Sequence, residues 1–215
     1  MGNYSKGANG TISGKFGSVV GSSWRKVNYL RSLPKKSAKK ASELQLAVQA
    51  KFTLSAAMLS PIKDILSLGF GDKKLGGLTG YNAAVRAFIT TAIEGDYPDY
   101  TVSYPTMQLS KGTLAPLRQL HMLLEGNMLT INWIFIEKRG IHVDDKVIVV
   151  IYNKTSNLYD VEESAVRAGG TLSLELDGDV GDELHIWAFC VTRDERKVSP
   201  TQYLGKITLP ELEAI

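Results

Sequence analysis

The stretch GYNAAVRAFITTAIEGDYPDYTVSYPTMQL, Gly80 to Leu109, contains the point where the pattern of the chain changes. Before it, Tyr81, Val85, Phe88 and Ala92 recur at three- and four-residue intervals, the period of a helix face. After Gly95 the apolar period drops to two, the period of a strand. The spacing predicts a helix over 80–93, with Thr79 as its cap and Gly95 as its stop. It predicts β structure from there to the end.

Toward the N-terminus a partner helix is expected, starting near Ser37 or Ser42. Ser42-Glu43-Leu44-Gln45 fits a capping box, in which two side chains satisfy orphan backbone N–H groups. Leu44, Val48 and Phe52 are read as its buried stripe, broadened by Ala47, Leu54, Met58 and Leu59. Pro61 lacks an N–H and should kink or split the helix. Ile62, Ile65 and Leu66 carry the face on, and Gly69 and Gly71 end it. A glycine-rich connector over 69–80 would close an antiparallel helical hairpin.

Toward the C-terminus seven strands are expected: 100–109, 117–124, 128–136, 146–153, 171–176, 183–192 and 203–209. Gly126-Asn127, Arg139-Gly140, Gly169-Gly170, Asp177-Gly178 and the run 193–197 supply the turns. Short strands at this spacing, with no helices between them, suggest an immunoglobulin- or fibronectin-like sandwich. They argue against a doubly wound sheet. The fold class read from the sequence is therefore α+β in three segments. Residues 1–36 are a glycine-rich, basic, extended segment, 37–96 the helical hairpin, and 97–215 the β-sandwich.

The first segment is unusual. SGKFGSVVGSSWRKVNYLRSLPKKSAKK, Ser13 to Lys40, spaces Gly14, Gly17 and Gly21 through apolar residues. It is too rich in glycine for a good helix and too apolar for a plain tail. Lys15 to Val20 reads as a short extended piece broken by Gly17. Residues 24–33 read as one strand, with Trp24, Lys26, Asn28 and Leu30 on one face and Arg25, Val27, Tyr29 and Arg31 on the other, ended by Pro34. Residues 1–40 hold nine Lys or Arg and no acid, leaving 16 bases against 22 acids elsewhere, a balance of −6. The formal charge of +3 hides this split. A cationic head of this kind suits the acidic bodies of sister chains, or a polyanion.

Composition narrows the class. In 215 residues, 44% are hydrophobic and 22% charged, an ordinary globular balance with enough apolar surface for a sizeable core. The single cysteine, Cys190, excludes an intrachain disulfide framework and a Cys-based structural zinc site. The opening residues lack the shape of a secretory signal, and no run reaches the roughly 18 apolar residues of a membrane span. A cytoplasmic product, or one carried in a virion, is the expectation, with no membrane insertion.

The segments GKFGSVVGSSWRKVNYLRSLPKK, SELQLAVQAKF and GDYPDYTVSYPTMQLSKGTL resemble a family of unknown function seen mainly in Bacteroidota. Its pattern has a GKxGxVVGxxWxGxxYxRxxP head and a YPDY segment between helices and strands. VIVVIYN and VSPTQYLGKITL also fit its strands. Lys26 stands where that pattern has glycine, and Gln49 where it often has arginine. A tight turn at position 26 would be altered by the lysine. The resemblance implies a boundary between helical and β parts and brings no catalytic residue. Similar heads in virus- or mobile-element-like proteins imply virion assembly as one context.

No motif supports catalysis. GTISGKF, Gly10 to Phe16, approaches a phosphate loop but is one residue short between its glycines, and Phe16 replaces the magnesium-binding hydroxyl. His121, His142 and His185 lack metal-ligand spacing and are read as structural. Cys190, inside HIWAFCV, reads as a buried, inert thiol. DGDVGDE, Asp177 to Glu183, fails the register of a calcium loop and reads as an acidic turn. No cofactor is expected.

The remaining function is interaction, through Phe16, Val19, Val20, Trp24, Arg25, Lys26, Tyr29, Arg31, Lys35 and Lys36. The first reading is a non-enzymatic structural module that self-associates or binds another protein. The alternative is nucleic-acid binding, with cations on phosphates and Trp24 and Tyr29 stacked on bases. The third is ligand binding by the sandwich loops 138–146 and 193–202.

Overall fold

The computed structural model describes residues 2–4 (backbone only), 12–24, 27–35, 40–71, 78–138 and 140–210. The chain forms two compact units, Met1–Ser42 and Glu43–Ile215.

The first unit is a four-stranded antiparallel sheet. Its strands are β1 (Gly2–Tyr4), β2 (Gly14–Phe16), β3 (Val19–Trp24) and β4 (Val27–Ser32), in the order β1-β4-β3-β2. Gly17, at φ +57°, turns β2 into β3. The expected single strand over 24–33 is not formed. Trp24 ends β3 and pairs with Val27, the first residue of β4, and Arg25 and Lys26 lie outside the described residues.

The second unit holds α1 (Glu43–Leu59), α2 (Lys63–Gly69) and α3 (Gly80–Thr91). A two-residue pair follows, β5 (Ile93–Glu94) with β6 (Thr101–Val102). Seven longer strands complete it: β7 (Arg118–Glu125), β8 (Met128–Ile134), β9 (Lys146–Asn153), β10 (Leu158–Val166), β11 (Thr171–Glu175), β12 (Glu183–Val191) and β13 (Gln202–Thr208). The break between α1 and α2 falls at Ser60-Pro61-Ile62, as the proline requires. Thr79 caps α3, its Oγ1 accepting from the N–H of Asn82 at 3.2 Å.

Two antiparallel sheets form, one ordered β10-β9-β12-β13 and one β11-β8-β7. They face each other across an apolar layer. Val147, Val149 and Ile151 of β9 and Ile186, Ala188 and Cys190 of β12 meet Leu129, Ile131, Trp133 and Leu172 of the smaller sheet. The opposite side of the larger sheet is covered by the helices. There Ile148, Val150 and Tyr152 of β9 and Trp187 and Phe189 of β12 meet Leu59, Leu66, Val85 and Phe88. Helices, large sheet and small sheet are thus three layers sharing two apolar clusters, and packing continues across the boundary drawn at residue 96.

Two strand expectations are corrected. Residues 100–109 pair only at Thr101–Val102, and a 3-10 turn, Tyr104–Thr106, takes the place of a longer strand at Pro105. The seventh long strand is β10 instead. Its sequence LYDVEESAV alternates poorly because it is an exposed edge strand with a bulge between Glu162 and Ala165. A third correction concerns α1. Leu44, Val48 and Phe52 are exposed, and the buried residues are Ser55, Met58 and Leu59, with Ala47, Ala50, Lys51 and Leu54 half-buried.

One glycine decides the shape of the first sheet. A Cβ on Gly21 would stand 2.3 Å from the carbonyl oxygen of Ile12 and 2.9 Å from its carbonyl carbon, both backbone atoms. Gly21→Ala is therefore expected to push residue 12 off the sheet and loosen β2. Hydrogen exchange over 14–24 should accelerate while exchange in β9 and β12 stays unchanged; unaltered protection of 14–24 would refute the tight crossing.

Candidate functional site

The register of the first sheet sorts the candidate residues onto two faces. Paired residues share a face, and β3 pairs Val20 with Lys15 and Arg31, Ser22 with Tyr29, and Trp24 with Val27. One face therefore carries Lys15, Val20, Ser22, Trp24, Val27, Tyr29 and Arg31. Trp24 and Tyr29, expected on opposite faces of one strand, lie together because they belong to two antiparallel strands, β3 and β4. The other face carries Phe16, Val19, Gly21, Ser23, Asn28, Leu30 and Ser32. Among the described residues it has no charge.

Neither face is sealed. Trp24 is 56% exposed and Phe16 76%, while Val19, Val20, Tyr29 and Leu30 are half-buried. Lys15 and Arg31 are exposed and sit two strands apart, about 10 Å by sheet geometry. That spacing exceeds the Debye length of about 8 Å in physiological salt, so the two exposed charges are largely screened from each other. Lys35 is exposed beyond β4, and Lys36 lies outside the described residues. Lys15 follows Gly14 into a strand and not into a helix, so residues 12–16 do not form a phosphate loop.

The loops at one end of the sheets also converge. His142, Asp144, Asp145, Arg193, Asp194 and Lys197 are among the residues lining a cleft of about 560 Å³. Its charges are largely matched: Arg193 lies 3.4 Å from Asp144, and Arg196 3.4 Å from Asp194. All its side chains are polar, so no ligand class is favoured. Beneath it Asp145 and Arg167 form a buried pair at 3.4 Å. Arg167 Nη2 donates to the Ala115 carbonyl at 2.8 Å, and Trp133 Nε1 donates to the Arg167 carbonyl at 2.7 Å. This clamp ties the start of β9 to the small sheet. Sequence reading missed it, since nothing in the spacing of 145 and 167 marks a pair.

A second group missed by the sequence is an aromatic row across the larger sheet. Tyr159 pairs with Tyr152, and Tyr152 with His185. Tyr104, from the 3-10 turn, stacks on His185 with centroids 3.8 Å apart. His185 is buried as expected and has a partner on each nitrogen: Nε2 lies 3.0 Å from Glu183 Oε1 and Nδ1 lies 2.8 Å from the Tyr203 hydroxyl. The carboxylate requires a donor, so Nε2 carries the proton and Nδ1 accepts from Tyr203. Burial holds the imidazole pKa below its ordinary value, against the upward pull of Glu183. The hydrogen bond from Lys154 at 2.9 Å leads the causes that bring Glu183 down to about 2.

His121 and His142 are exposed. Cys190 is buried, and burial pushes its thiol up to about 12, which makes it inert. In the acidic turn Asp182 Oδ2 accepts from Asn153 Nδ2 at 2.6 Å and from the Asp179 N–H at 3.1 Å, so it staples the turn. Among the described residues no group of three or more His, Cys, Asp or Glu is placed to hold a metal ion. No helix among them is long and apolar enough to cross a membrane.

A family model matches residues 11–205. The chain belongs to DUF6266, a family of unknown function. The match takes in β2, β3 and β4 as well as every helix and the strands through most of β13, so the first sheet lies within the family's span. No curated protein matches the chain. A solved structure titled "Myokine structure" is 15% identical, covering 45% of this chain and 97% of that one, with a TM-score of 0.35.

Two tests follow from this geometry. Arg167→Leu leaves the Asp145 carboxylate buried alone and should cost about 3–5 kcal/mol in urea unfolding. Arg167→Leu with Asp145→Leu should recover part of that; a single variant as stable as the parent would exclude the clamp. The neutral His185 contributes stability that is full above about pH 6.5 and lost as pH falls through that value. His185→Gln should flatten the urea midpoint between pH 6.5 and 5, and an unchanged slope would exclude His185 as its source. Glu183, depressed, contributes separately and is lost only below about pH 4.5.

Proposed function

We propose that this chain is a non-enzymatic interaction module whose N-terminal sheet is received by a neighbouring subunit, a virion or similar assembly being the context that fits it. The observation that carries this is the two-faced sheet. Burying one side chain the size of Val20, Trp24 or Tyr29 stabilises by about 1.5–3 kcal/mol, and less when it is already half-covered. Association costs about 4–15 kcal/mol. One face alone reaches only the low end of that range, whereas covering both faces carries the gain further into it. Insertion between partner surfaces therefore suits this sheet better than lying flat on one.

The same argument separates protein from nucleic acid. Stacking bases on Trp24 and Tyr29 with phosphates on Lys15 and Arg31 would use the charged face only. It leaves the face of Phe16, Val19 and Leu30 unexplained. In the body, three strands against four, with chain crossings between the sheets after β8, β10 and β11, support an immunoglobulin- or fibronectin-like sandwich as the rigid part of the module. No residue group described above suggests catalysis.

The test uses the full chain and two exposed positions, one per face. Phe16→Asp and Trp24→Asp should each lower the mass seen by light scattering. Duplex or single-stranded DNA should add nothing to the parent at about 50 mM salt. Mass unchanged in both variants would overturn the assembly reading. Loss of DNA binding in Trp24→Asp alone would replace it with the nucleic-acid one.

A further inference from the structure

The start of α2 and the edge strand β10 leave a groove between them. Ile62 and Ile65 line it on the helix side and Leu158, Tyr159 and Val161 on the strand side, around a volume of about 340 Å³. That is the low end of the roughly 300–1,000 Å³ of ligand pockets, room for one aromatic side chain. Leu158 is 66% exposed and Val161 36%, so the groove opens onto bare apolar surface. Tyr159 lies against Tyr152, and its hydroxyl is buried with no hydrogen-bond partner among the described residues. Asp64 stands on the helix side, and Asp160, Glu162 and Glu163 continue along β10. Residues 61–65 and 157–166 hold these four acids against one base, Lys63. Among the described residues none of the four is in an ion pair, whereas Asp144 and Asp194 of the polar cleft are matched by Arg193 and Arg196.

We infer that this groove receives the charged face of the first sheet of a second copy, with Trp24 as the side chain that enters it. The inference rests on the assembly reading above and names its receiving surface. The two surfaces correspond in sign, in form and in spacing. Lys15 and Arg31 are the charges of the sheet face, and the acids of the groove carry the opposite sign with no partner of their own. Trp24 ends β3, is 56% exposed and has the exposed Val27 beside it, an apolar tip for an apolar groove. Four residues of β3 separate Trp24 from Val20, whose cross-strand partners are Lys15 and Arg31. Four residues of β10 separate Leu158 from Glu162, so both spans are about 13 Å of strand. With β3 laid antiparallel to β10, the indole meets the groove while the cations reach Asp160, Glu162 and Glu163. The acids that bar a stranger's strand from this edge are thus the groups that a cationic face can meet.

Reversing charge on each surface tests the match. Full-length chains carrying Lys15→Glu/Arg31→Glu, or Asp160→Lys/Glu163→Lys, change exposed positions only and should keep the parent's circular dichroism. Each should lose the parent's assembly and scatter light as one chain. Mixed in equal amounts, the two should assemble again, because each then offers the sign that the other lacks. Trp24 is the exposed one of three tryptophans, Trp133 and Trp187 being buried. Its fluorescence should be shielded from acrylamide in the assembled parent and open to it in either reversal. Unchanged mass in either reversal would overturn the inference. If Phe16→Asp and Trp24→Asp still dissociate that chain, the sheet is received at another surface and the assembly reading stands without this one. Loss of assembly in both reversals with no recovery on mixing would also overturn it, since the two sets of charges would not be meeting each other. So would a Trp24 open to acrylamide in the assembled parent. A parent that already scatters as one chain would sink both readings.

Discussion

Strands β9 and β12 have no solvent face. KVIVVIYN and ELHIWAFCV are apolar at nearly every position, and in the fold all but their first residues are buried. A strand with both faces apolar must be covered twice, and the rest of the second unit meets that demand. Odd-numbered residues of β9 face the small sheet through Val147, Val149 and Ile151, and even-numbered ones face the helices through Ile148, Val150 and Tyr152. The helical hairpin is therefore a layer of the same body. Without it Trp187, Phe189 and Tyr152 would lie open to water. The partnered His185 is tolerated near this core because both its ring nitrogens have partners, whereas the buried Asp145–Arg167 pair rests on its opposite charges, with Asp145 Oδ1 and Arg167 Nε lacking a hydrogen-bond partner.

That double burial was written in the two apolar runs, which is why the mixed α+β class and most long strands could be read directly from the pattern. What the pattern hid were edges and rotations. β10 shows water one side of its ladder and carries Asp160, Glu162 and Glu163, so its residues lack the alternation that marks a half-buried strand. Residues 100–109 alternate well enough, yet Pro105 and the ring of Tyr104, drawn onto His185, set a tight turn there. Tertiary contact overrode local pattern in both cases.

The helix α1 and the first sheet were misread for a related reason. Periodicity finds an apolar stripe but does not say which stripe faces inward. α1 turns Ala47, Leu54, Ser55 and Met58 toward its own body, where small residues let it approach closely, and leaves the larger Leu44, Val48 and Phe52 outside. In the sheet, the candidate residues were legible by type but not by face. Their arrangement depends on residues 19–32 forming two antiparallel strands, β3 and β4, where the alternation from 24 reads as one strand. Once the two strands are separated, Trp24, Tyr29, Lys15 and Arg31 fall on one face by register alone.

The exposed apolar surfaces are not a sign of a chain careless about its exterior. Where an open edge invites unwanted pairing, this molecule guards it. β10 places Asp160, Glu162 and Glu163 along the rim of the larger sheet, and a bulge breaks the strand between Glu162 and Ala165. On the opposite rim β13 carries Lys206 and is irregular in register against β12 between Ile186 and Trp187. Charges and bulges are the usual means by which an edge strand refuses a stranger. The same chain leaves three large apolar residues bare on α1 and both faces of its first sheet half-covered. Protection is thus selective: both edges of the larger sheet are blocked, while α1 and the faces of the first sheet stay open. The apolar exposure of α1 and the first sheet therefore lies on faces, while the edges of the larger sheet carry charge and irregular register.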